Sequence, residues 1–216
     1  MRPTGSARLL VEGPDDKWAV ISLISQVWAR SGKVWDQVPW RPDVQDKGGV
    51  DQVLEALGVM ARSTPVLGVI VDADEDRDAR WCAVRDRLRR EGLTVPDFPQ
   101  DAGWVGAGFL PNSRVGVWLM PDNRLRGTLE DLLALLVPAD DAHWPHATEA
   151  VRCAVERDAS AHNAAWHSKA RIHTWLAWQD HPGQPFGTAI TARVLSRTDA
   201  PEAMAFVSWF ERLYQP

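Results

Sequence analysis

"PVLGVIVDADED", Pro65 to Asp76, is the stretch whose reading decides the fold. Val66 to Val71 is nearly all apolar, as expected for a central parallel strand covered on both faces. The run ends in Asp72, Asp74 and Asp76, and a charged helix follows from Arg77 to about Glu91, with Trp81, Val84 and Leu88 on one side. Upstream, Ala7 to Glu12 reads as a short buried strand. Asp15 to Arg30 reads as a helix, with Val20, Ile24, Val27 and Trp28 at helical spacing. Asp15, Asp16 and Lys17 read as its exposed first turn. "KVWDQVPW", Lys33 to Trp40, reads as a second strand and "RPDVQDKGG", Arg41 to Gly49, as a polar loop. Val50, Val53, Leu54, Leu57 and Met60 mark a second helix.

Downstream, strands are expected near Trp104–Leu110 and at Val115–Met120, then a short helix over Thr128–Val137. Beyond Ala139 the pattern turns helical, roughly over His146–Asp158, Ala164–Trp178, Thr188–Ser196 and Pro201–Tyr214. Strands alternating with helices predict an α/β fold with a mainly parallel sheet flanked by helices. The expected organisation is an α/β core over residues 1–138 and a helical C-terminal part, 139–216, packed against it.

Composition narrows the function classes. With 24 basic and 29 acidic residues the formal charge is −5, which argues against a broad basic surface gripping duplex nucleic acid by counterion release. It leaves room for a local site where bound cations cancel carboxylate charge. Cys82 and Cys153 show no zinc or redox spacing, so a reducing cytoplasmic setting is expected. "MRPTGSARLL" lacks the apolar core of a signal peptide, and no apolar run is long enough to span a bilayer. The twelve tryptophans, scattered from Trp18 to Trp209, are expected to pack helices together. His143 and His146 bracket a proline and lack a third ligand for zinc; His162, His167, His173 and His181 lack metal spacing too. The arginines at 85, 87, 89 and 90 read as an ion-paired, solvated face, with a nucleic-acid-facing edge as the alternative.

In α/β sheets ligands bind beyond the carboxyl ends of the strands. Glu12 ends the first strand and Asp72, Asp74 and Asp76 end the third. If those strands are neighbours, Glu12, Asp72 and Asp74 converge on one rim. Carboxylates so close repel one another unless a cation intervenes. Hard oxygen ligands suit Mg²⁺ or Mn²⁺, and the chemistry favoured is phosphodiester cleavage or phosphoryl transfer. Asp76 has a second reading as the N-cap of the Arg77 helix. Gly48 and Gly49 precede a helix and can form an amide nest for phosphate, or a plain turn. An Asp-x-Asp metal site for a nucleotide-sugar would explain the aspartates and leave Glu12 idle.

An apolar strand ending in Glu-Gly, a helix, a second strand and helix, then a strand ending in Asp-x-Asp resembles the TOPRIM domain. That domain occurs in topoisomerases, bacterial primases, recombination mediators, ribosomal-RNA maturases and OLD-family nucleases. The resemblance spans about Ala7 to Leu136, and is greatest to small stand-alone TOPRIM-like proteins related to the OLD nucleases. It implies a Rossmann-like core, with Glu12 as acid/base or metal ligand and Asp72 and Asp74 as metal ligands. The usual glycine after Asp-x-Asp is missing here, and Asp76 would serve as a third acid. "GTLEDLLALL", Gly127 to Leu136, would add Glu130 as a further acid, although acids in a first helical turn also meet the dipole. "SKARIHTWLA", Ser168 to Ala177, would add Lys169 to stabilise a negative transition state, although a snorkelling lysine fits the same position. Tyr214, the only tyrosine, lies in the last helix and is no topoisomerase nucleophile. The function implied is a Mg²⁺/Mn²⁺-dependent nuclease acting on DNA or RNA. The alternative is a non-catalytic subunit beside a partner ATPase, since this chain has no P-loop of its own.

Overall fold

Val66–Asp72 forms strand β3, and Val66 to Val71 is buried throughout. Such a strand needs covers on both faces, and the chain provides them. Leu67, Val69 and Val71 meet α2 (Val50–Met60) and α3 (Arg77–Arg90) on one side of the sheet. Val66 and Ile70 face a larger core built by α1 (Pro14–Ala29) and by helices from the C-terminal part. The computed structural model describes residues 7–160 and 166–216. His162 and the expected helix start at Ala164 lie outside the described residues.

Five strands form one sheet in the order β2-β1-β3-β5-β4. β1 (Ala7–Val11) pairs parallel with both β2 (Asp43–Asp46) and β3, and β3 pairs parallel with β5 (Arg114–Met120). β4 (Trp104–Ala107) closes the far edge antiparallel to β5. The chain runs from β1 outward to β2, then crosses back over β1 to β3. The gap beyond the carboxyl ends of β1 and β3 is therefore a topological switch point, where open α/β sheets bind ligands. The expectation of a mainly parallel α/β sheet flanked by helices holds.

The second strand lies elsewhere than expected. Lys33–Trp40 holds only a 3₁₀ turn at Trp35–Gln37, and β2 forms within the stretch read as a polar loop. Its apolar pattern has another use: Trp35 and Trp40 pack on Trp28, with ring centroids 5.6 and 5.1 Å away. β2 is an edge strand that buries only Val44 and exposes Asp43 and Asp46, the charge pattern that blunts sheet edges.

The remaining helices are α4 (Leu129–Leu135), α5 (His143–Glu156), α6 (His167–Ala177), α7 (Phe186–Thr191) and α8 (Pro201–Tyr214). The helical C-terminal part is continuous with the core. Phe206, Trp209, Phe210 and Leu213 of α8 are fully buried in the same cluster as Leu9, Ile70 and Trp118. Burying each such side chain stabilises the fold by roughly 1.5–3 kcal/mol. Gly68 and Gly116 sit side by side on β3 and β5 and open the notch that admits the end of α8. A Cβ at Gly68 would fall 2.3 Å from the Tyr214 hydroxyl, and one at Gly116 would fall 2.7 Å from Leu213. The Tyr214 hydroxyl donates to the Arg8 carbonyl at 2.7 Å, fastening the last helix to the first strand. The fully buried tryptophans include Trp28, Trp81, Trp118, Trp175 and Trp209, so packing is their main role. Among the described residues no helix is long and apolar enough to cross a membrane.

Candidate active site

Glu12 leaves the end of β1 with its backbone and side chain both engaged. Its carbonyl accepts hydrogen bonds from Gly48 N–H (2.8 Å) and Gly49 N–H (3.0 Å), in the turn between β2 and α2. Its carboxylate Oε1 accepts the N–H of Asp72 at 2.9 Å. One residue thus ties the ends of β1, β2 and β3 together. Gly48 and Gly49 have φ of 87° and 131°, which suit glycine. Their N–H groups point at Glu12, so the amide nest expected to receive phosphate is not formed by these two residues. They line the cleft as backbone only.

Asp72 ends β3 beside Glu12, and its Oδ1 accepts the N–H of Leu129, the first residue of α4. That bond draws the α4 start over the rim and brings Glu130 in. Glu130 is buried; its Oε2 accepts from the Thr128 hydroxyl at 2.8 Å, and its Oε1 lies 3.3 Å from Lys169 Nζ on α6. Lys169 also sits over the Trp166 ring, 5.3 Å from its centroid. Glu12, Asp72, Glu130 and Lys169, from four separate elements, line one cleft of about 650 Å³.

Asp74 lines the same cleft but is held differently. It is exposed, has φ of 51°, and exchanges backbone hydrogen bonds with Gly127 at 2.9 and 2.8 Å. Its carboxylate pairs with Arg80. Asp76 takes the structural option: its side chain accepts the N–H of Ala79 at 2.9 Å as the N-cap of α3, away from the cleft-lining residues.

Two site residues escaped the sequence reading. Asp16 is part-buried, not the exposed first-turn residue expected; its Oδ2 accepts the Gly13 N–H at 3.0 Å and its side chain lines the cleft. The available signal was its place three residues after the Glu12-Gly13 turn, where a helix's first turn folds back on its entry. Arg80 was the other; only its position one turn into α3, facing Asp74, marked it.

Burial dominates the electrostatics. It raises Asp72 well above the ordinary carboxylate value, and the charges of Glu12, Asp16, Glu130 and Asp74 add to the effect. Asp16 is pushed up to about 6, first by burial and then by Glu12. Glu12 is raised by burial, against the Asp72 N–H bond and the Arg80 charge, which favour its ionised form. The rim therefore holds protons at neutral pH more readily than free carboxylates do, a state that a bound cation would reverse. Among the described residues no three His, Cys, Asp or Glu side chains stand in ligating geometry. The arrangement is a set of hard oxygen donors at a switch point, one of which, Glu130, is ion-paired with Lys169.

An α/β protein with a mainly parallel sheet and an acidic cleft beyond β1 and β3 is the class these features define. The chain belongs to the family described as "Protein of unknown function (DUF3226)", whose model matches residues 6–215. No curated protein and no solved structure matches it.

Proposed function

We propose that this chain is a Mg²⁺- or Mn²⁺-dependent phosphodiesterase of the TOPRIM type that cleaves nucleic acid. One observation carries the reading: Glu12 and Asp72 meet across the β1–β3 switch point, with Glu130 and Lys169 in the same cleft. The donors suit a hard cation by chemistry, being all carboxylate with mutually repelling members, and an ion would have to draw them together, since no three stand in ligating geometry among the described residues. Asp72 and Asp74 would hold the ion, with Glu12 as a third ligand or as the acid/base, and Asp16 and Glu130 beside them. Bound there, it would polarise a phosphodiester and lower the pKa of an attacking water.

The chain's own groups do the rest. Glu12, whose carboxyl burial pushes above its ordinary value, stands at the switch point as the candidate acid or base. Lys169 presents positive charge where a phosphoryl transition state gains negative charge. The Asp72–Leu129 bond fixes the cleft wall before substrate arrives. Purified protein with Mn²⁺ is expected to cleave DNA or RNA, and Asp72→Ala to abolish cleavage. Equal inertness of both proteins across single- and double-stranded substrates would overturn the proposal.

A second reading has one observation in its favour. Since no three acids stand in ligating geometry among the described residues, the cleft also suits a non-catalytic subunit that binds nucleotide or nucleic acid beside a partner ATPase. Copurification of an ATPase, with no cleavage by the chain alone, is the outcome that selects it.

A further inference from the structure

Packing accounts for most of the tryptophans, and Trp166 stands apart from them. It lies at the start of α6, is 53% exposed, and lines the acidic cleft beside Glu130 and Lys169. Trp175, on the same helix, is fully buried and meets Trp144 edge to face at 6.1 Å. Trp18 and Trp178 are exposed as well, yet neither lines the cleft. Leaving an indole in water forfeits the burial that makes the residue useful to a core. Among the described residues that line the cleft, Trp166 is the one aromatic.

Its neighbours tie the ring to the acidic wall. Lys169, one helical turn on, places its Nζ 5.3 Å from the centroid of the Trp166 ring and 3.3 Å from Glu130 Oε1. The ammonium thus bridges an aromatic face and a carboxylate. Glu130 accepts from the Thr128 hydroxyl at 2.8 Å, and the next residue, Leu129, donates its N–H to Asp72. A short series of contacts therefore joins the indole to the carboxylate at the end of β3. Among the described residues Lys169 is the one cation lining the cleft, and it is already paired with Glu130. Affinity for the organic part of a ligand must then come from an uncharged contact, and the indole supplies one.

We propose that Trp166 is the stacking platform for an unpaired nucleobase next to the phosphate held in the acidic cleft, a role that rests on the phosphodiesterase reading. In a duplex the neighbouring bases cover both faces of each base. An unpaired base has a free face to lay on the indole. The substrate class that follows is a single strand or an unpaired end, not continuous duplex. Stacking of this kind tolerates any sequence, because every base has a π-face.

The test is fluorescence anisotropy with the full chain in Ca²⁺ on three labelled oligomers of equal length. They are a DNA single strand, the same strand carrying tetrahydrofuran abasic sites throughout, and the duplex. Wild type is expected to bind the single strand about tenfold more tightly than the abasic strand, and more tightly than the duplex. Trp166→Ala is expected to abolish the preference for bases, and Trp166→Tyr to keep most of it. A disturbance of Lys169 on loss of the ring weakens both strands alike, so the ratio of affinities reports stacking. An unchanged ratio in Trp166→Ala, a duplex bound as tightly as the single strand, or a wild type that binds neither strand overturns the platform. Mn²⁺-dependent cleavage of the same oligomers tests the chemistry separately. Cleavage of the normal and abasic strands with equal KM overturns the platform and leaves the phosphodiesterase standing. A base preference that depends on Trp166, with no cleavage of any oligomer, overturns the phosphodiesterase and leaves the platform.

Discussion

The acidic rim has two halves that look alike in sequence and differ in the fold. Glu12, Asp16, Asp72 and Glu130 are withdrawn from solvent at the β1–β3 gap, where burial raises the first three. Asp74, Glu75 and Asp76, from the denser acidic run, are exposed; they pair with Arg80, pair with Arg126 and cap α3 respectively. The density of acids in the chain is therefore a poor guide to where reactive carboxylates lie. What separates the halves is whether neighbouring elements close over the side chain.

The largest effects should follow that division. Asp72→Asn is expected to lower Mn²⁺-dependent cleavage by a factor on the order of 10³, because Asp72 is half-buried and its carboxylate is positioned by the Leu129 N–H. Asp74→Asn should cost about tenfold, since its carboxylate is exposed and already shared with Arg80. Rates measured side by side decide the matter, and equal losses would erase the distinction between the halves. Lys169→Ala comes next, with kcat reduced about 10²-fold and KM little changed, as for loss of a transition-state charge partner. A change confined to KM would return Lys169 to the role of a snorkelling surface lysine.

Stability against pH probes the same contrast without any assay of cleavage. Asp16 rises from an ordinary 3.8 to about 6 on folding, so the native state binds more protons than the unfolded state between those values. Its contribution favours folding below about 4 and is lost as pH rises through 6. Asp16→Asn keeps an oxygen for the Gly13 N–H and removes the charge. The variant should be more stable than wild type at pH 8 by on the order of 2 kcal/mol and equal to it near pH 3. Thermal melts at the two pH values measure this, and a gain of the same size at both would remove charge repulsion as the cause.

Much of this was legible in the chain because buried parallel strands leave contiguous apolar runs, and β1 and β3 are such runs. Glu12 and Asp72 could be paired because both follow those runs directly. β2 was illegible for the opposite reason: an edge strand wears charges, while the nearby tryptophans belong to a helix-packing cluster. Asp16 was missed because an acid in a helix's first turn looks the same whether it faces water or folds into a cleft. Glu130 and Lys169 needed a resemblance to suggest them, since only the docking of α4 against α6 sets them face to face.

The smallest effect belongs to the exposed half and is the one that tests the comparison most closely. Asp76→Ala removes the acceptor for the Ala79 N–H, leaving the start of α3 uncapped. Loss of an N-cap costs about 1 kcal/mol, which for a chain of this size lowers Tm by roughly 2–4 °C. Cleavage should stay within about twofold of wild type, because Asp76 does not line the cleft. A loss of cleavage approaching that of Asp72→Asn, with Tm unchanged, would make Asp76 a functional acid. It would also mean that the exposed run moves into the cleft when substrate or cation binds, so that closure of neighbouring elements no longer separates the two halves.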